Sequence, residues 1–201
     1  MARLALNKSS LSKLTRQLVT FERFLPSLDM KRKQLMAERA RAQAALQRTG
    51  QAMAALRESI AGRLPMLANR EIELADLVQL KTVRLGEENV VGTRLPVLEA
   101  VEVQRRDYSY LAIPQWVDRL SDDLARMLEF HAGLAVERRR LVLLEEAVRK
   151  VTQRVNLFEK VLIPRTKEHI RKIRIYLSDA ERAAVVRSKI AKRKHAAQGA
   201  T

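Results

Sequence analysis

Three histidines and two pairs of adjacent carboxylates are the groups in this 201-residue chain that could carry acid–base or metal chemistry. His131, His169 and His195 are far apart in sequence, and none belongs to a His-Glu-x-x-His pair. His131 and His169 lie near the apolar seams of predicted helices, where a packed or hydrogen-bonded imidazole is the commoner outcome and a metal ligand the rarer one. Asp122-Asp123 and Glu145-Glu146 fall in helices expected to be solvated on most sides. Carboxylates divide into acid and base only where their surroundings separate their pKa values, and a thin helical structure offers no desolvated pocket for that. No Gly-x-x-x-x-Gly-Lys-Ser/Thr phosphate loop occurs, and no glycine is followed by lysine. The sequence therefore predicts no catalytic residues, no metal site and no cofactor.

The elements that hold these residues explain why. Apolar residues spaced alternately three and four apart run from the amino end through Leu4, Asn7, Leu11, Leu14, Leu18, Phe21, Leu25, Leu28, Arg32, Leu35, Arg39, Ala42, Leu46, Thr49, Met53, Leu56 and Ile60. A seven-residue repeat of this length specifies the seam of a left-handed coiled coil. A second seam reads Leu141, Leu144, Val148, Val151, Val155, Phe158 and Leu162, then weakens through Arg165, His169, Tyr176, Ala183, Val186 and Ile190. The expected fold is mainly α: a long antiparallel two-helix coiled coil of the N- and C-terminal helices, with a small central region holding a short helix and a β-hairpin. Helices of about 57 and about 75 residues would reach roughly 85 to 110 Å, so a rod is expected. Arg32 and Arg39 within the seam have two readings, setting register and pairing or contacting a partner.

Boundaries follow from stop and start signals. The first helix is expected to begin near Ser9 or Ser10, or earlier if a partner orders the amino terminus, and to end by Pro65, giving a segment 1–62. In the central region, 63–113, Asn69 with Glu71 and Glu73 predicts a short helix through about Leu80. Lys81–Leu85 and Val97–Val103 show strand-like alternation around Gly86, Gly92 and Pro96, which predicts a hairpin. Pro114 to Asp118 opens the second long helix, 114–195, and 196–201 is read as a flexible tail. Pairing Ile60 with Phe130 sets a register that brings Pro26 and Pro164 to nearly the same level, a shared weak point. It also leaves the chain beyond about Arg187 as a single basic helix.

Charge is uneven. The formal charge is +16, from 39 Lys+Arg against 23 Asp+Glu, which suits a polyanion or an acidic protein surface as partner. Acids nevertheless outnumber bases between Leu64 and Asp123, and no acid follows Glu181. The tail is either a solvated helix face or a functional patch whose partner supplies the missing acids. Trp116, with Tyr108 and Tyr110, could stack on bases, but Glu102, Asp107 and Asp118 nearby favour packing. Without cysteine there are no disulfides or thiolate metal sites, as suits a reducing compartment. No cleavable leader and no uncharged run of spanning length is seen, so a soluble, unexported protein without membrane insertion is expected.

Against this background Arg154-Val155-Asn156-Leu157-Phe158-Glu159-Lys160-Val161-Leu162-Ile163-Pro164-Arg165 resembles the signature of the D subunit of the A-type and V-type rotary ATPases, continuing through Ile170, Ile173 and Leu177. Asn89 to Pro96 is similar to the family's Asn-(Ile/Val)-x-Gly-Val-x-(Val/Leu)-Pro element, and Leu25 to Leu35 resembles its Leu-Leu-Lys-x-Lys-Arg-Asp-x-Leu run. Pro26 and Thr93 depart from the pattern, standing where leucine and an apolar residue are usual. The resemblance implies a non-catalytic central-stalk rotor that transmits torque between a nucleotide-binding ring and a membrane ion-translocating ring. Implied partners are the catalytic and non-catalytic nucleotide-binding subunits, a small central-stalk companion and a socket subunit, in a cytoplasmic complex peripheral to a membrane. Candidate contacts with the nucleotide-binding ring are Arg182, Arg187, Lys189, Lys192, Arg193 and Lys194. Candidate far-end contacts are Val91, Gly92, Pro96 and Trp116. A basic coiled coil that binds nucleic acid through phosphates, and a coiled-coil scaffold with protein partners only, are the competing readings.

Overall fold

The computed structural model describes residues 4–63, 76–107 and 114–198. Helix α1 spans Lys8–Arg63, a hairpin follows as β1 Val78–Val90 and β2 Thr93–Arg105, and α2 spans Trp116–Leu157. A π-helical turn, Phe158–Leu162, then leads into α3, Ile163–Gln198. The mainly helical class with a small antiparallel sheet is as the sequence predicts. Asn69, Glu71, Glu73, Pro65, Tyr108 and Tyr110 lie outside the described residues.

The chain forms two compact units, residues 31–150 in one and residues 1–30 with 151–201 in the other. Within the first, α1 and α2 run antiparallel: Thr49 Oγ1 donates to Glu137 Oε1 at 3.0 Å, and Arg39 Nε stands 3.4 Å from Glu145 Oε1. Leu35, Ala42, Leu134 and Leu144 are buried here. Every seam residue of α1 from Leu11 to Ile60 is buried or half-buried, which confirms the heptad reading along that helix. Arg39 is half-buried and faces a carboxylate, so within the chain it acts as a cross-helix pairing residue.

The hairpin belongs to the same unit. Its strands are longer than the alternation predicts, because Gly86 and Pro96 lie inside them and do not end them. A two-stranded ribbon has only edge strands, where proline is tolerated. Two bulges adjust the register: Lys81 is extra on β1 between Leu80↔Val103 and Thr82↔Glu102, and Glu99 is extra on β2 between Arg84↔Ala100 and Leu85↔Leu98. The predicted short helix through Leu80 is corrected at its carboxyl end, since β1 already begins at Val78 and Leu77 is buried. Leu77 packs with Val117 and Leu120, and Ile60, Val78, Trp116 and Leu124 close around them.

In the second unit the first turn of α1 is capped by Asn7, whose Oδ1 accepts from the Ser10 N–H at 2.7 Å. This corrects the expected Ser9 or Ser10 cap. A cap side chain reaches the N–H three residues on, so a helix starting at Lys8 selects Asn7. Lys8 pairs with Glu181 at 3.5 Å and Lys167 with Glu22 at 2.9 Å, again an antiparallel arrangement. Phe21 and Phe158 meet edge to face with ring centroids 5.4 Å apart. Pro26 and Pro164 consequently lie within about two helical turns of one level, and α1 continues unbroken through Pro26.

The C-terminal seam needs a larger correction. Beyond Val155 the buried residues are Ile163, Thr166, Ile170 and Ile173, whereas Arg165 and Tyr176 are exposed and His169 is half-buried. The predicted set was displaced by one residue. A π-turn holds one residue more than an α-turn, and everything after it advances by that residue.

Candidate functional site

Two surfaces hold the residues singled out by sequence. The first is the end of α3. Glu181 is the last acid on the helix and pairs with Lys8 at the start of α1. After it, Arg182, Arg187, Lys189, Lys192, Arg193 and Lys194 are all exposed, as are Val185, Val186 and Ile190 between them. The helix is continuous to Gln198, because the stretch from Ile163 on contains no glycine and its only proline is in the first turn, where a missing N–H is tolerated. Arg187 Nε donates to the Ala183 carbonyl at 3.3 Å. The arrangement is a stem of positive charge interleaved with short apolar side chains, suited to a surface that supplies both carboxylates and apolar contact.

The second surface is the hairpin, and its candidate residues do not form one cluster. Val91 and Gly92 make the two-residue turn with φ of 51° and 78°. Positive φ at both positions defines the tight turn whose twist matches that of the strands. Gly92 suits it; Val91, β-branched, is strained there. The turn lies against α1, since a Cβ on Gly92 would stand 3.3 Å from Lys31 Nζ. Pro96 lines a crevice of about 390 Å³ between β2 and the two helices, with Ala42, Arg48, Gly133, Glu137 and Arg140 among its walls. Arg140, one of those walls, also holds Glu88 Oε2 on β1 through its Nη2 at 2.6 Å. Trp116 sits elsewhere in the unit, half-buried against the Leu77, Val117 and Leu120 core near the end of α1. Packing therefore accounts for Trp116.

Glu168 is held below the ordinary carboxylate range by a hydrogen bond from Lys172 at 2.6 Å and by that ammonium's charge. It is exposed on α3. His169 is its sequence neighbour and lies half-buried on α3; His131 is exposed on α2. Among the described residues no group of three or more His, Cys, Asp or Glu side chains is placed to hold a metal ion. No described helix is long and apolar enough to cross a membrane.

Three features escaped the sequence reading. Asn7 carried a visible signal, an N-cap residue type directly before a helical run. Lys31, under the hairpin turn, carried none. The π-turn left a numerical trace: Val155 to Ile163 spans one residue more than a heptad.

These features define a class: a basic protein of antiparallel paired helices with a β-hairpin folded against them and a charged helical tail. Within it the family is shown by comparison. The chain belongs to the ATP synthase D subunit family, whose model matches residues 10–193. It is 33% identical over 192 residues to the V-type ATP synthase D subunit of Borreliella burgdorferi, covering 96% of this chain and 95% of that one. The V-type ATP synthase D subunit of Chlamydia muridarum is 36% identical over 201 residues, with 96% of each chain covered. That of Chlamydia caviae is 35% identical over 188 residues, covering 89% and 86%.

Proposed function

We propose that this chain is the central-stalk rotor subunit of a V/A-type ATPase or ATP synthase. It carries out no bond chemistry and transmits torque between the nucleotide-binding ring and the membrane ion-translocating ring. The observation that supports this most directly is the end of α3, which runs on after the Lys8–Glu181 pair as an exposed, acid-free basic helix. Arg182, Arg187, Lys189, Lys192, Arg193 and Lys194 form the bearing against the catalytic and non-catalytic subunits. Exposed charge at screened range gives orientation without the permanent grip that would stall rotation. A ring whose conformations are biased by shaft angle supplies the bistable element that such coupling needs.

Contacts with the companion and socket subunits are assigned to Val91, Gly92, Pro96 and Trp116. Their separation divides that assignment in two: the turn and Pro96 offer one surface, and the rim of Trp116 another. The complex is cytoplasmic and peripheral to its membrane.

The test is gel filtration, after nuclease treatment, of this chain mixed with the soluble nucleotide-binding subunits from the same source at about 0.15 M salt, where exposed charges are screened beyond about 8 Å. One copy co-eluting with the ring and altering its ATP hydrolysis is the expected result. Separate elution, with mobility changing only when nucleic acid is restored, would replace the rotor with a polyanion binder.

A further inference from the structure

The π-turn in the second long helix has a purpose that its sequence neighbours reveal. On α2 the buried residues Leu144, Val151 and Val155 follow the heptad rhythm, and on α3 Ile163, Thr166, Ile170 and Ile173 resume it. The interval from Val155 to Ile163 is one residue too long for that rhythm. In an uninterrupted α-helix each residue turns about 100°, so the excess would rotate all of α3 by that angle. Leu162, Arg165, His169 and Tyr176 would then face α1, and a guanidinium would enter the seam.

The backbone absorbs the excess. The N–H of Ile163 bonds the carbonyl of Phe158, five residues back, and closes the wide turn. Pro164 has no N–H to return to the α pattern at the next position. Thr166 Oγ1, buried on the inner face, donates to the Leu162 carbonyl at 2.6 Å, so the hydroxyl is satisfied within its own helix at the end of the turn. Phe158, the first residue of the turn, is fixed from the other side by the ring of Phe21.

We propose that Phe158–Leu162 is an indexing element: it takes up the single surplus residue, so that one face of α3 stays on α1 and every side chain beyond it, the basic tail included, is set at a fixed azimuth. The seam demands the turn, and Pro164 and Thr166 position it. A consequence is that Tyr176, which shares the displaced phase and lies where α1 is still opposite, remains on the outside. The inference is independent of the rotor reading and is tested on the isolated full chain.

The chain has no cysteine, so single thiols report cleanly. Arg165→Cys and Ile170→Cys would be labelled with a small disulfide reagent in three backgrounds: the parent, Pro164→Ala, and a chain lacking Val161. In the parent, Cys at 165 should react about tenfold or more faster than Cys at 170, because a seam position reacts only through local opening. Removing Val161 removes the surplus residue, restores an unbroken heptad, and should leave both the labelling order and the helical circular dichroism unchanged. Pro164→Ala should also keep the order, because burial and not proline selects the phase. Reversal or equalisation of the order in either background, or loss of helicity on removing Val161, would overturn the proposal.

Discussion

At the scale of single residues, Val91 is the position where local chemistry and fold disagree. Its φ of 51° is one that a β-branched side chain adopts only under strain, and such strain costs about 1 to 3 kcal/mol. Asparagine followed by glycine is the preferred pair for this turn. Val91→Asn should therefore raise the stability of the chain by about 1 kcal/mol, read as a shift of the urea midpoint with unchanged slope. A loss of stability would mean that the half-buried valine side chain contributes more by packing than its backbone loses. If Val91 also contacts a companion subunit, the same substitution weakens that association while stabilising the free chain. That divergence separates a residue kept for binding from one kept for folding. Gly92 permits no such exchange, because a Cβ there meets both its positive φ and Lys31 Nζ at 3.3 Å.

At the scale of elements, the long α1 seam was legible because its period is the physical cause of its burial, and that period runs from Leu11 to Ile60 without a shift, through Pro26 included. The hairpin was legible in kind but not in extent, since Gly86 and Pro96 read as breakers in a sequence and are accommodated as edge-strand residues in a two-stranded ribbon. The α3 seam was misplaced by one residue, because a rhythm of threes and fours can be followed through Leu162 as easily as through Ile163, and only the backbone shows which is real. The candidate site was legible as a list of residues and not as an arrangement. Nothing in the spacing of Val91, Gly92, Pro96 and Trp116 shows that the turn rests on Lys31 while Trp116 joins a different core. The α3 correction makes a measurable claim. Ile173 is fully buried, so Ile173→Ala should cost about 2 to 5 kcal/mol. Tyr176 is 50% exposed, and Tyr176→Ala should stay within about 1 kcal/mol of the parent. Denaturant unfolding of the two variants distinguishes the phases, because the uncorrected seam predicts the reverse order.

At the scale of the whole molecule, what matters is how a formal charge of +16 is distributed. Pairs between elements offset charge locally: Arg39 with Glu145, Lys167 with Glu22 and Lys8 with Glu181 between helices, and Arg140 of α2 with Glu88 of β1. After Glu181 there is no acid left to do so, and Arg182, Arg187, Lys189, Lys192, Arg193 and Lys194 share one exposed stem. An exposed ion contact contributes about 0 to 1 kcal/mol, so alanine at any one of these six should change ATP-driven ion pumping by less than about fivefold. Replacing all six removes the field and not merely one contact, and should lower pumping by more than about tenfold. The isolated chain should keep its helicity and its unfolding midpoint, because none of these side chains is buried. A phosphate-binding surface would behave differently: each removed cation would reduce the slope of log affinity for nucleic acid against log salt by about 0.9, whichever residue was chosen. Pumping that survives the sixfold replacement would dismiss the bearing. Pumping that fails with one substitution, at Arg187 for example, would show a specific docked contact in place of a screened charge field. Progressive loss across the series is the result that a rotating, unlocked shaft requires.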